Sequence, residues 1–335
     1  MRYWQVGSGQ LERCYADECL KYGVACVPPD GTNKGRMLSV QSGDRILLRQ
    51  GLRIVAVGEA EVRDGVCSGE GDKPWLRDLD GWNMSVYCHV RWFRPEEPIP
   101  VHRMQGALCS AERLKPIADE ILRACTRPEP RAEEPSPTVP VTDDEMLTAL
   151  VNHGLRPPVA QVITALNRLR SLASYYYSSV QWKDVREHEI RTFLVVPLLL
   201  ALGWDERQLK VELPISGRRR LDLACFAAHY RLDAKRSSGS PGCILIIETK
   251  AFDKGLHSAP AQAKAYAAEV SSCRTVVVSN GYCYKAFRRN ARGELAAAPS
   301  AYVNLLQPQD RYPLDPLNVA GALEAMKCLL PPLPA

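Results

Sequence analysis

Asp222 is followed 26 positions later by Glu248-Thr249-Lys250, so two acids and a lysine fall on what read as neighbouring strands. Directly before the triplet, 243–247 is a short continuous apolar run of the kind that forms a strand buried on both faces. Side chains two positions apart share a face of a strand, so this run would carry Glu248 and Lys250 out of the core together. Burying a carboxylate and an ammonium is expensive and calls for a chemical reason. Asp222 and Glu248 are hard oxygen ligands of the type that suits Mg²⁺, which keeps several waters and acidifies them. A lysine beside such a water can orient or deprotonate it, or stabilise negative charge as it develops. The bland alternative is a solvated pair of Glu248 with Lys250, and an Asp222 that caps a turn.

The elements that must hold these groups can be read from periodicity. Val159, Val162, Ile163, Leu166, Leu169 and Leu172 recur at three- and four-residue intervals, which predicts an amphipathic helix ending near Tyr175-Tyr176-Tyr177. Those tyrosines read as packing against a sheet, with base stacking as their other use. A second helix is predicted over 187–204, ended by Gly203, with Pro197 imposing a kink or a fresh start. Strands are predicted at 209–213, 221–226, 244–247 and 275–279, with a helix carrying Gln262 and Tyr266 between the last two. Helix, three strands, helix, strand is the order of a small α/β domain with a mixed sheet.

The motifs fall in a definite order. Glu187 stands ten positions before Pro197-Leu-Leu-Leu-Ala-Leu-Gly-Trp204; then come Arg220-Leu-Asp222, Ile247-Glu-Thr-Lys250, Gln262-X-X-X-Tyr266 and Val276-Val-Val-Ser-Asn-Gly281. On these residues, 187–287 resembles the PD-(D/E)XK nuclease superfamily, and within it the nuclease domain at the amino end of type I restriction endonuclease motor subunits. The resemblance implies a restriction-endonuclease-like α/β fold, a mixed sheet flanked by helices, that hydrolyses DNA phosphodiester bonds. It supports catalytic roles for Asp222, Glu248 and Lys250, with Asp222 and Glu248 holding Mg²⁺, for which Mn²⁺ can substitute. It also implies an accessory acidic role for Glu187, a positioning role for Gln262, and Tyr266 packing behind. Glu189 rivals Glu187, but the spacing to Pro197 favours the latter.

Arg218, Arg219 and Arg220 before Asp222, and Arg288, Arg289 and Arg292 after the last strand, would fit a DNA-backbone track, although charge runs also serve as solvated surface. The chain departs from the family in its long 227–241 span, where 235–242 reads as a flexible loop. It has no Gly-X-X-X-X-Gly-Lys-Ser/Thr phosphate loop, so ATP-driven translocation would have to come from another chain.

The first segment, to about Phe93, reads as β-rich. Gly43-Asp44 and Gln50-Gly51 mark turns around the apolar runs 46–48 and 54–57, which predicts a hairpin. Gly58 next to Glu59 predicts a bulge or a close backbone approach, and 81–93 supplies a closing strand. A Gly-Asp turn into a strand, a second strand ending near Gly-Glu, and a late strand carrying basic and tryptophan residues resemble PUA-like barrels. Among these are the EVE-type domains that recognise modified bases. Trp4, Trp82 and Trp92 are the base-reader candidates, since an extruded base is held by aromatic stacking, although burial in a core is the commoner use of tryptophan.

Residues 109–125 have helical spacing, 127–140 is a proline- and charge-rich stretch that reads as a solvated linker, and Thr142-Asp-Asp-Glu145 has the form of a capping box. The expected organisation is therefore a reader domain over 1–97, a helix and linker over 98–141, and a nuclease domain over 142–335. Hydrophobic and charged fractions of 46% and 24% point to a globular chain, and a net charge of +5 is compatible with a polyanionic partner without demanding one. Twelve cysteines form no Cys-X-X-Cys pair, and six histidines are scattered, so reduced structural thiols are expected rather than a zinc site. With no membrane-length apolar run and no secretory opening, a cytoplasmic location is expected. The resulting expectation is an Mg²⁺-dependent DNA endonuclease of prokaryotic defence acting on DNA that carries a modified base, with a homodimer conceivable for double-strand cleavage. The alternatives are a nuclease subunit targeted by a partner complex and a catalytically silent nucleic-acid-binding sensor.

Overall fold

The structure is a computed structural model that describes all residues except 11–12, 102–105, 179–183, 216–218, 231–241, 257–258, 291, 315–318 and 334–335, and the side chains of 10, 13, 259, 260, 263 and 266. Arg218, the expected loop at 235–241 and the Tyr266 side chain thus lie outside the description. The chain divides into two compact units, Met1–Pro137 and Thr138–Ala335. The architecture is mixed α/β: a β-rich unit built on a curled, half-barrel sheet and an α/β unit built on a second mixed sheet.

In the first unit the predicted hairpin is Arg45–Gln50 with Arg53–Ala60, turning at Gly51, whose φ of 56° suits glycine. Tyr3–Gly7 runs parallel beside the first of these strands and Val86–Phe93 antiparallel beside the second. Gly58 is the expected close approach, because a Cβ there would lie 2.2 Å from Val90 Cγ1 and 2.6 Å from the Trp92 ring. The bulge of the hairpin lies elsewhere, between Leu48 and Arg49.

The region expected to be helix and linker belongs to this unit. Residues 109–125 are not one helix: Leu108–Ser110 pairs as an edge strand with Tyr3–Gly7, and the α-helix is Lys115–Ala124. Ala118 and Ile121 of that helix bury Tyr3, Leu47, Ile54 and Val57, at about 1.5–3 kcal/mol for each large apolar side chain covered. The proline-rich stretch beyond it is tied down too. Glu129 N–H donates to Trp92 O (2.9 Å), Ala132 N–H to Lys21 O (2.8 Å), and the Glu134 carboxylate accepts from Lys73 and Trp75. With these bonds made, the first compact unit runs to Pro137.

In the second unit six strands lie in the order Leu209–Pro214, Arg220–Phe226, Cys243–Thr249, Thr275–Ser279, Cys283–Arg288 and Ala301–Asn304. All neighbours are antiparallel except Cys243–Thr249 with Thr275–Ser279. A parallel pair needs a crossover, and the predicted helix, Ala259–Glu269, supplies it. Leu223, Leu245, Ile247 and Val277 face one core with Leu166, Leu194 and Leu198, while Ala224, Ile246, Val276 and Val278 face another with Ala267 and Val270. Both faces are covered, which is why 243–247 reads as an unbroken apolar run.

Thr142 and Glu145 form the expected capping box at the start of Asp143–Asn152, and Val159–Ser178 is the expected amphipathic helix. The helix predicted over 187–204 is Glu187–Ile190, a π-helical turn over Arg191–Val195, then Val196–Ala201. Pro197 has no N–H to continue an α ladder, and the wider turn just before it accommodates the loss.

Candidate active site

Leu223 pairs with Ile247 across antiparallel strands, so the next pair outward is Asp222 with Glu248. The two carboxylates face each other on the side that carries Ala224 and Ile246, where the crossover helix packs. Lys250 follows on the same side. Its Nζ donates to Glu248 Oε1 (3.1 Å) and to Gln262 Oε1 (3.2 Å) of the crossover helix. Glu248 and Lys250 are buried, 3% and 7% exposed, whereas Gln262 is exposed. A buried lysine shared between an acid and an amide is an oriented ammonium, not a solvated charge.

Asp222 is held from two directions. The backbone N–H and the hydroxyl of Thr249 both donate to its Oδ2, at 2.7 and 2.8 Å. Arg191 Nη1 donates to its Oδ1 at 3.0 Å, and Arg191 Nη2 reaches Glu212 Oε1 at 3.2 Å. Burial pushes the Glu248 carboxyl up to about 7, and the charge of Asp222 adds to this; Lys250 pulls the other way without winning, and Glu187 raises it further. Glu187, at the start of its helix, is thus electrically part of the site although its side chain is exposed. Its rival Glu189 is used otherwise, accepting from Arg186 N–H at 2.8 Å to cap the helix.

Two residues carry weight that sequence reading missed. Arg191 is one helical turn beyond Glu187, a spacing that places both on one face and could have marked it. Glu212 lies on the outermost strand, skipped between the pairs Val211 with Leu223 and Leu213 with Leu221, at a φ of 50°. A strand glutamate with left-handed backbone has no signature in the sequence.

Among the described residues no group of three or more His, Cys, Asp or Glu side chains could hold a metal ion. The site nevertheless offers two opposed carboxylates, one raised by its burial and then by the other's charge, which a divalent cation would relieve. Asp222 Oδ2 already accepts two hydrogen bonds and Oδ1 one, so Oδ1 and the Glu248 carboxylate are the donors that fit a hard cation, which would complete its shell with waters.

The arginines expected to track a DNA backbone are mostly engaged. Arg219 pairs with Glu269, and Arg220 Nη1 donates to Glu212 Oε2 at 3.2 Å. Arg289 donates to the carbonyls of Cys273, Ala267 and Gly293, and Arg288 pairs with Glu324, so both brace the fold. Of the tyrosine run, Tyr176 packs edge-on to Phe252 at 5.5 Å and Tyr175 is 65% exposed.

In the first unit Trp4 and Trp92 are buried, and their N–H groups are spent inside the fold, on Asp44 Oδ2 and Cys19 O, both at 3.0 Å. Trp82 is half-buried. A further group of rings is buried as well: Trp75 lies 4.7 Å from Tyr22, and Tyr87 lies 5.1 Å from His89 with Lys73 over its ring. All twelve cysteines are free thiols, and no helix among the described residues is long and apolar enough to cross a membrane.

No protein-family model matches this chain, and no curated protein matches it in sequence.

Proposed function

We propose that the second unit is a restriction-endonuclease-like, PD-(D/E)XK nuclease that hydrolyses DNA phosphodiester bonds with Mg²⁺. The observation that carries this reading is a buried Lys250 ammonium shared by Glu248 and Gln262, from a strand and the crossover helix, with Asp222 opposite Glu248 on the neighbouring strand. Asp222 and Glu248 would hold the ion, which when bound acidifies water and screens phosphate charge. Thr249 keeps the Asp222 carboxylate aimed through two bonds to one oxygen. Lys250 orients the attacking water and offers its proton-bearing nitrogen to the negative charge that builds on the phosphate. Gln262 fixes the lysine's rotamer, so the ammonium does not swing toward solvent.

For the first unit we infer a PUA/EVE-like reader that presents DNA carrying a modified base to the nuclease. Its curled sheet supports the reading; the burial of Trp4 and Trp92 leaves the half-buried Trp82 as the base-stacking candidate.

Cleavage of a panel of phage DNAs with different base modifications, with and without Mg²⁺, tests both statements. Lys250→Ala should abolish cleavage and leave DNA binding intact; full activity in that variant would end the nuclease reading. Equal cleavage of modified and unmodified DNA would remove the reader. One observation favours the rival reading of a silent nucleic-acid-binding sensor: the Arg191 guanidinium already neutralises Asp222. Binding of DNA with no Mg²⁺-dependent cleavage of any substrate would decide for it.

A further inference from the structure

Glu212 is placed at a cost and its carboxylate is fully used. It sits in left-handed backbone, φ 50°, a conformation that non-glycine residues keep only where their surroundings impose it. Its Oε1 accepts from Arg191 Nη2 and its Oε2 from Arg220 Nη1, each at 3.2 Å. The side chains of Glu212 and Arg220 are 51% and 61% exposed, and an ion pair that open to water contributes too little to justify the backbone it requires. Arg191 differs, with only 9% of its side chain exposed, and its two partners are Asp222 on the inner side and Glu212 on the outer.

A carboxylate spanning two guanidiniums has the charge and the two-oxygen geometry of a phosphodiester. We propose that Glu212 is an internal stand-in for a DNA backbone phosphate, occupying an anion site made by Arg191 and Arg220 until the substrate displaces it. The inference rests on the nuclease reading for the identity of the anion, since the site adjoins Asp222. Displacement exchanges one anion for another on Arg191, so Asp222 keeps its neutralising partner throughout. Glu212 swings into water, where half of it already lies. Arg191 and Arg220 are positioning residues in this scheme; the reacting atoms belong to the Asp222, Glu248 and Lys250 group.

The test is Glu212→Gln in the full chain, read by duplex DNA binding in EDTA. Affinity should rise roughly tenfold at low salt, and the slope of log affinity against log salt should steepen by about one, the mark of one more phosphate contact. Adding Arg220→Ala to Glu212→Gln should cancel both gains. Glu212→Gly guards against a folding defect, because glycine accepts the positive φ and also removes the carboxylate; it should bind as Glu212→Gln does. Unchanged or weaker binding with an unchanged salt slope in both variants would overturn the proposal. Because no cleavage is measured, failure of the nuclease reading is seen separately, as wild-type protein that binds but never cuts. If wild type binds no duplex at all, inorganic phosphate is the probe: it should raise the melting temperature of Glu212→Gly above that of wild type, and an equal shift for both sinks the anion site.

Discussion

Asp222 and Glu248 stand opposite each other on adjacent antiparallel strands, one step beyond the pair Leu223 with Ile247. Burial is the larger penalty on the Glu248 carboxylate, and the like charge of Asp222 opposite adds to it. The sheet accepts a local loss of stability where the proposed ion would bind.

That loss has a pH signature in metal-free protein. Glu248 is raised from its usual 4.5 to about 7, so between those values the folded chain binds a proton that the unfolded chain has released. Its contribution therefore weakens stability as pH rises through this window, by on the order of 3 kcal/mol. Glu248→Gln should flatten this dependence and melt higher than wild type at pH 8, while losing the Mg²⁺-induced rise in melting temperature. Parallel melting curves for the two proteins across pH 5 to 8 would refute the assignment.

His89 should act with the opposite sign. Burial, then the charges of Lys73 and Arg63, depress it from 6.5 to about 4, and its Nδ1 has no hydrogen-bond partner among the described residues. Between those values the unfolded chain takes up a proton that the folded chain refuses, so stability falls as pH falls, by at most about 3 kcal/mol. His89→Gln should show a smaller loss of melting temperature between pH 7 and 4.5; an equal loss would exclude His89 as its source.

Thr249→Val removes one of the two bonds to Asp222 Oδ2 and leaves the backbone N–H in place. At a fully buried position this should lower stability by about 1–2 kcal/mol and weaken Mg²⁺ binding, without the total loss expected for Asp222→Asn. Calorimetric titration of both variants separates the two outcomes.

Much of this site was legible because its parts lie on elements with strong periodic signals. The buried strand before Glu248, the capping box at Thr142 and the crossover helix carrying Gln262 follow from apolar spacing and from short-range side-chain chemistry. Arg191 was passed over inside an apolar stretch, although its spacing from Glu187 was there to be read, and only the fold shows its contact with Asp222. Glu212 depends on an irregular edge strand. The strands Cys283–Arg288 and Ala301–Asn304 were missed because tertiary pairing, more than local pattern, makes them. Trp4 and Trp92 illustrate the reverse error: composition flagged the residues, but only packing reveals that their rings are core.

Arg191→Met tests the electrostatic role of the missed arginine. Removing the guanidinium leaves Asp222 beside Glu248 without its neutralising partner, at a cost of about 2 kcal/mol in metal-free protein. Mg²⁺ should recover part of that loss and should bind more tightly than to wild type, since it no longer competes with a cation on Oδ1. Weaker Mg²⁺ binding in Arg191→Met would show that the arginine builds the ion site instead of competing for it.

Gly281→Ala should be costly for a different reason. Glycine alone suits φ 96° there, and a Cβ would lie 2.5 Å from Leu194 Cδ1, on the helix that presents Arg191. A loss of about 2 kcal/mol or more is expected by chemical denaturation, against the few tenths typical of an exposed glycine.

The crossover helix has a kinetic consequence. The parallel pair of the second sheet, Cys243–Thr249 with Thr275–Ser279, is joined through the crossover helix, and such long-range pairings are expected to come late in folding. Gln262 rides on that helix, so Lys250 gains its second partner in the same event. A nascent or half-folded chain therefore carries the acids and the lysine without the arrangement that makes them a centre. In the proposed nuclease the centre would be complete only once this pairing has registered.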